Sequence, residues 1–314
     1  MRILVLGAGG VGGCFGGRFA ESGADVTFLV RPRRRAQLEK NGLVVQSSFG
    51  DIAVPVTTVT RDEITEPYDV VLLSCKAYDL DDAMEAIAPA MGADGVVLPL
   101  LNGLRHIEVL QKRFGEANVW GGTCYIGAAF NSETGDIRHI GNFQRIIFGI
   151  PDGKPSVQAD AFAALDATVG FDIEYSPDIM QTMWDKISML AALATANTIA
   201  RGTIGEILEA PSGEAFLLAA LAESRDTAAV LGHPVSARTL ENYNRMFTTR
   251  GSDFAASMLR DMEAGRQTEG EHVLGDIIRR ATAQGIDTPM MRCALAAIET
   301  HEAKLRTGAG SAPV

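Results

Sequence analysis

Between Lys154 and Lys304 the chain contains one lysine, Lys186; every other basic side chain in that stretch is arginine. A guanidinium keeps its proton at any physiological pH, whereas an ammonium can release one. A lysine alone against an arginine background is therefore a candidate for proton transfer. The bland alternative is a lysine at a helix start, its stem on apolar surface and its head in water. Positive charge is scarce throughout, with 28 Lys and Arg against 39 Asp and Glu and a net charge of −11. That excludes general nucleic-acid binding, which needs a basic face to displace counterions from phosphate. Cysteine is also sparse. Cys14, Cys75, Cys124 and Cys293 are widely separated and form no CxxC or Cys/His cluster, so neither a disulfide framework nor a metal site is expected. No apolar run reaches the ~20 residues that a membrane-spanning helix requires. Glycines break the apolar start "MRILVLGAGGVGGC", and one basic residue precedes it, so it does not read as a leader with a lipid-attachment cysteine. The expectation is a cytoplasmic protein with no membrane and no nucleic-acid partner.

With 314 residues, 46% hydrophobic and 21% charged, the chain has an ordinary globular composition and length for one large or two smaller domains. Arg2 to Leu6 is a short run of branched apolar residues, as expected of a strand buried on both faces. It meets "GAGGVGG", in which Gly7, Gly9 and Gly12 supply GxGxxG and Gly10 and Val11 lie within the loop; a helix to Gly23 and the strand "DVTFLV" follow. The glycines permit a tight turn, close approach of backbone to a diphosphate at the helix N-terminus, and packing of helix on strand. A site for NAD usually ends the second strand with a carboxylate for the ribose diol. Here the residues are "LVRPRRR". Arg31, with Arg33 and Arg34 behind it, offers planar forks suited to a 2′-phosphate. NADP(H) is the expected cofactor, a solvated basic loop being the alternative.

Two further strands, "DVVLLSCKAYD" and "GVVLPLLNGL", carry polar residues at their C-terminal ends, where ligands sit in open α/β sheets. Lys76 and Asn102 are thereby placed beside the nicotinamide, although Asn102-Gly103 is also a turn signal. The strands "NVWGGTCYIGAAF" and "GDIRHIGNFQRIIFGI" are expected to close the edge of the sheet. From Pro177 strand signals cease, and helices are expected over 178–200, 211–231, 236–248, 252–265, 269–284 and 288–305. The expected fold is α/β, with a Rossmann-like dinucleotide-binding domain over 1–176, an all-helical substrate domain over 177–306, and a frayed tail over 307–314. The site should lie in the cleft between the two domains.

The segments "ILVLGAGGVGG", "LSCKAYD", "LLNGL", "GDIRHIG", "WDKI" and "SMLRDMEAGRQTE" occur in this order over nearly the whole chain, which thereby resembles the ketopantoate reductase (2-dehydropantoate 2-reductase) family. The resemblance implies an NADP-dependent oxidoreductase of pantothenate biosynthesis, with a small 2-oxo acid as substrate and room for a homodimer. It implies that Lys186 protonates the ketone oxygen as hydride arrives, that Glu269 supports that lysine or the substrate, and that Ser257 lies near the substrate carboxylate. Lys76 and Asn102 would flank nicotinamide and substrate, with Arg31 on the 2′-phosphate. For Glu269 the run "TEGE" leaves a capping box open as an alternative. The family's asparagines four and eight residues beyond the lysine are here Leu190 and Ala194, which would put apolar surface in the site and favour a bulkier carbonyl or an imine. The next asparagine, Asn197, lies roughly 16 Å along the helix axis from Lys186. A non-catalytic NADP(H) sensor is the rival from another class.

Overall fold

The structure, a computed structural model, describes residues 1–308. The chain divides into two compact units, Met1–Leu101 with His106–Met180, and Asn102–Arg105 with the residues from Gln181 onward. In the first, β1 (Arg2–Leu6), α1 (Gly10–Glu21), β2 (Asp25–Leu29), α2 (Pro32–Asn41), β3 (Leu43–Gln46), β4 (Ile52–Val54), β5 (Thr57–Val59), β6 (Tyr68–Leu73), α3 (Leu80–Ile87) and β7 (Met91–Pro99) follow in order. Five of these strands form a parallel sheet in the order β5-β2-β1-β6-β7. Ile3, Leu4 and Val5 at its centre are wholly buried, as the unbroken apolar run of a strand covered on both faces requires.

Next come α4 (Arg105–Phe114), β8 (Gly121–Phe130), β9 (Ile137–Gly149), α5 (Val157–Ala163), α6 (Asp166–Val169) and β10 (Asp172–Tyr175). Strands β8 and β9 do pair with each other, but apart from one bridge of Val119, just ahead of β8, to Val97 of β7 they do not close the edge of the first sheet. They belong to a second sheet of order β10-β9-β3-β4, with β8 on β9. The reason is visible along β9, where buried and exposed residues alternate over Ile137–Ile140 and again over Phe143–Ile146. Such a strand suits a sheet with one solvated face, and not one covered by helices on both sides.

Helix α1 runs between the two sheets. A Cβ on Gly12 would collide with the Gly7 carbonyl and the Ser74 hydroxyl, and one on Gly16 would lie 2.6 Å from the Phe28 ring of the first sheet. Towards the second sheet, a Cβ on Gly13 would strike Ile137, and one on Gly17 would lie 3.0 Å from Leu43. Elsewhere on the helix, Phe15 and Phe19 pack on Phe171 with ring centroids 5.0 and 5.4 Å apart. Burial pushes the Cys14 thiol up to about 12, which leaves it an inert packing residue.

The second unit is helical. It contains α7 (Ile179–Ala200) from Gln181 onward, α8 (Ile204–Leu208), α9 (Gly213–Val230), α10 (Ala237–Phe247), α11 (Ser257–Glu263), a π-helical turn (Glu271–Gly275) running into α12 (Asp276–Ala283), and α13 (Pro289–Thr307). Helix α8 is an addition to the expected set. It is announced by a capping box in which Glu206 N–H donates to Thr203 Oγ1 at 3.2 Å and Thr203 N–H to Glu206 Oε2 at 2.8 Å. The helix expected from residue 252 starts only at Ser257, because the preceding backbone serves α8: Ile204 N–H donates to the Phe254 carbonyl and Gly205 N–H to that of Ser252. At the C-terminus Thr307 is still helical and Gly308 closes the helix at φ +69°. Those two residues are therefore not a tail, and the rest of that expectation lies outside the described residues. Among the described residues no helix is long and apolar enough to cross a membrane.

Replacing Gly16 by Ala sets two effects against each other. Removing a mid-helix glycine gains up to about 1 kcal/mol, but overpacking a core costs about 1–3 kcal/mol. The Phe28 ring is wholly buried and cannot step aside, so we expect net destabilisation of about 1–2 kcal/mol, read as a lower midpoint in denaturant. A Gly16→Ala protein as stable as the parent would show that α1 is not tightly clamped.

Candidate active site

The glycine loop leaves β1 with Gly7 at φ +86°, a conformation that L side chains rarely adopt. Around Gly9, the residue that precedes α1, the space a Cβ would occupy is open. The first turn of α1 has neither a side-chain cap nor an acidic residue, so its N–H groups and the positive end of its dipole are left for an anion. A turn of this kind has the form that a dinucleotide diphosphate needs, and Gly7, Gly9, Gly10, Val11 and Gly12 make up the turn and the start of α1. Ser74 Oγ donates to the Leu6 carbonyl at 2.9 Å, tying the end of β6 to the loop. Two residues later Lys76 is half-buried, just ahead of the short turn Ala77–Asp79.

The arginines after β2 divide their tasks. Arg34 Nε donates to the Ala8 carbonyl at 2.9 Å and Nη1 to that of Gly135 at 2.8 Å, so Arg34 braces the glycine loop. Arg33 donates to the Ser132 carbonyl at 2.9 Å. Arg31, exposed like Arg33, donates to Asp82 Oδ2 at 2.9 Å.

In the second unit three of the predicted site residues meet at one small cavity. Asn102, Ser257 and Glu269 line it with Leu190, Asp261 and Val273. Lys186, 9% exposed, reaches it through Asn102: its Nζ donates to Asn102 Oδ1 at 3.2 Å. Glu269 is buried, and the capping box considered for its segment does not form. Thr268 Oγ1 does accept from Gly270 N–H at 3.2 Å, but Thr268 N–H and Oγ1 donate to Glu302, at 3.3 and 2.8 Å, while Glu271, which would have to accept that N–H, pairs with Arg279.

Of the two apolar replacements on α7, Leu190 does line the cavity. Ala194 does not: it is wholly buried. Each step of four residues turns a helical position about 40° further from Lys186, and the second step carries it off the cavity face. Asn197 is also wholly buried and works locally. Its Nδ2 donates to the Gly202 carbonyl at 2.7 Å and its Oδ1 accepts from Ala256 N–H at 2.8 Å, fixing the segment that leads into Ser257. Sequence reasoning passed over Asp261, which accepts from Arg266 Nε at 3.0 Å. Its signal was its position four residues after Ser257, on the same helical face.

A parallel sheet with a glycine cradle, joined to a helical unit that sets a lysine beside a polar cavity, defines an oxidoreductase class of architecture. Residues 3–153 match the family described as Ketopantoate reductase PanE/ApbA, and residues 178–302 match Ketopantoate reductase PanE/ApbA C terminal. The chain belongs to this family, whose members are oxidoreductases acting on CH–OH groups with a nicotinamide dinucleotide. It is similar to the uncharacterized oxidoreductase YkpB of Bacillus subtilis, 34% identical over 97% of this chain and 100% of that one. It is similar also to 2-dehydropantoate 2-reductase of Halobacterium salinarum, 29% identical over 93% and 96%. Among solved structures, a PanE/ApbA family ketopantoate reductase from Ralstonia eutropha JMP134 superposes with a TM-score of 0.86 at 25% identity, covering 98% of this chain and 100% of that one.

Asn197→Ala would leave the Gly202 carbonyl and the Ala256 N–H buried without their partner. At about 1–3 kcal/mol for each, the expected loss is about 2–6 kcal/mol of stability in equilibrium denaturation. A loss below ~1 kcal/mol would mean that water replaces the carboxamide there.

Proposed function

We propose that the chain is an NADPH-dependent reductase of a 2-oxo acid, with Lys186 as proton donor. The observation that carries this is the Lys186–Asn102 hydrogen bond at the wall of the cavity that also holds Glu269 and Ser257. Bound to the glycine cradle, NADPH would supply the hydride. Reduction leaves negative charge on the former carbonyl oxygen, and a positioned ammonium gives that oxygen its proton. Asn102 orients the ammonium by accepting one of its hydrogens, and a carboxamide, unlike a carboxylate, does not compete for the proton. Glu269 supports the lysine or a substrate hydroxyl, Ser257 donates to the substrate carboxylate, and Lys76 flanks nicotinamide and substrate. Leu190 favours a substrate with a larger or less polar side chain than ketopantoate, since an apolar lining selects bulk. The reading extends to a cytoplasmic location, with a homodimer as the assembly to look for.

A second reading, an imine substrate, is favoured by the two carboxylates, Glu269 and Asp261, on one cavity. It is the weaker of the two, because Arg266 already offsets the charge of Asp261.

The test is NADPH oxidation with ketopantoate, with branched and aromatic 2-oxo acids, and with cyclic imines. The bulkier 2-oxo acids should give the highest kcat/KM. Lys186→Arg keeps the charge and withholds the proton, so turnover should fall by about 10²–10⁴-fold while NADPH still binds. Undiminished turnover in that variant would return Lys186 to a structural role.

Cofactor choice is a separate matter. The exposed Arg31–Asp82 pair is worth at most ~1 kcal/mol, less than the roughly 1.5–3 kcal/mol of a charge-assisted contact to phosphate. A 2′-phosphate therefore displaces Asp82 from Arg31. Arg31→Ala should weaken NADPH binding by about one to two decades and leave NADH binding unchanged, as measured by fluorescence titration. Equal losses for both cofactors would take Arg31 away from the 2′-phosphate.

A further inference from the structure

The π-helical turn Glu271–Gly275 sets His272 against the Asn102-Gly103 turn. Gly103 is at φ +97°, and a Cβ there would lie 2.7 Å from His272 Cδ2 and 2.9 Å from its Nε2, so the imidazole edge fills the space beneath the turn. The ring donates to the main-chain carbonyl of Asn102. The side chain of the same Asn102 accepts from Lys186 Nζ. One residue is thus gripped twice, through its backbone by the imidazole and through its carboxamide by the ammonium. A π-turn is a costly insertion that tends to persist where function needs it, and this one begins two residues after Glu269.

We infer that His272 is a positioning residue for Lys186, acting through Asn102. The inference rests on Lys186 being the proton donor. The imidazole lies close to Gly103, and it fixes both the height of the turn and the direction in which the carboxamide points. Burial holds the ring below its ordinary value, against the opposing pull of Glu269 and Asp276 and with a smaller push from Arg105. It therefore stays neutral at neutral pH and keeps one N–H for the Asn102 carbonyl. A rotated carboxamide would leave the ammonium without its aligned acceptor, and a misplacement of about 1 Å at a reacting group can cost on the order of 10²-fold in rate.

The experiment is a double-mutant cycle on kcat with the best 2-oxo acid and NADPH. His272→Ala should lower kcat by roughly 10- to 10²-fold and leave the KM for NADPH unmoved. His272→Gln, whose amide nitrogen stands close to Nε2, should restore most of the loss. In an Asn102→Ala background His272→Ala should cost little more, since residues acting through one another are not additive. Equal losses with and without Asn102, or wild-type kcat in His272→Ala, would overturn the inference. If His272→Ala fails to fold, the comparison of His272→Gln with His272→Leu decides the matter, and equal kcat in those two would overturn it as well. Lys186→Met separates the two readings. Full turnover there removes the proton donor, whereas loss in Lys186→Met with none in His272→Ala removes only the role of His272.

Discussion

The arrangement of the first unit depends on a helix that meets two sheets at glycines. Four glycines in six positions disfavour α1 by about 1 kcal/mol each relative to alanine, and the helix persists because both sheets close on it. Phe28, Ile137, Leu43 and Ile52, all essentially buried, are the contacts that offset the cost. Close packing then fixes where the helix begins. The loop before it has no freedom of its own: Gly12 abuts the Gly7 carbonyl, and Arg34 holds Ala8. The same clamp shapes both core and cradle.

The parts of this arrangement that could be read from sequence are those where one local signal has one structural meaning. A strand buried on both faces, ended by GxGxxG, could be little else. The run "TEGE", by contrast, matches a capping box and yet does not complete one, because Glu302, more than thirty residues away in sequence, takes the Thr268 N–H that Glu271 would accept. Strands β8 and β9 could be read as a pair, but which sheet they join depends on β3 and β10 pairing with the two ends of β9 on the edge opposite β8, a long-range fact. Ala194 failed for a geometric reason, since two successive four-residue steps do not stay on one helical face. His272 and Asp261 were hidden among ordinary charged and polar neighbours, and only the fold brings them to the turn and the cavity.

The scarcity of lysine in the second half acquires a meaning from the ion pairs. Arginines there are matched with carboxylates, Arg266 with Asp261, Arg279 with Glu271, Arg280 with Asp276 and Arg292 with Asp287. Such partners hold side chains in place without taking part in proton movement. Lys186 has a carboxamide, that of Asn102, as its acceptor where these arginines have carboxylates.

Asn102 and its three successors cluster with the helical unit although the chain on both sides of them belongs to the α/β unit. A helical fragment cut from residue 181 would still contain Lys186 but would lack the carboxamide that accepts its hydrogen. The two halves are therefore not interchangeable cassettes. A chimera joined at the obvious boundary would inherit Lys186 from one parent and the carboxamide that accepts from it from the other, so any drift in the Asn102 turn between relatives would break a hydrogen bond whose two side chains had not themselves been altered.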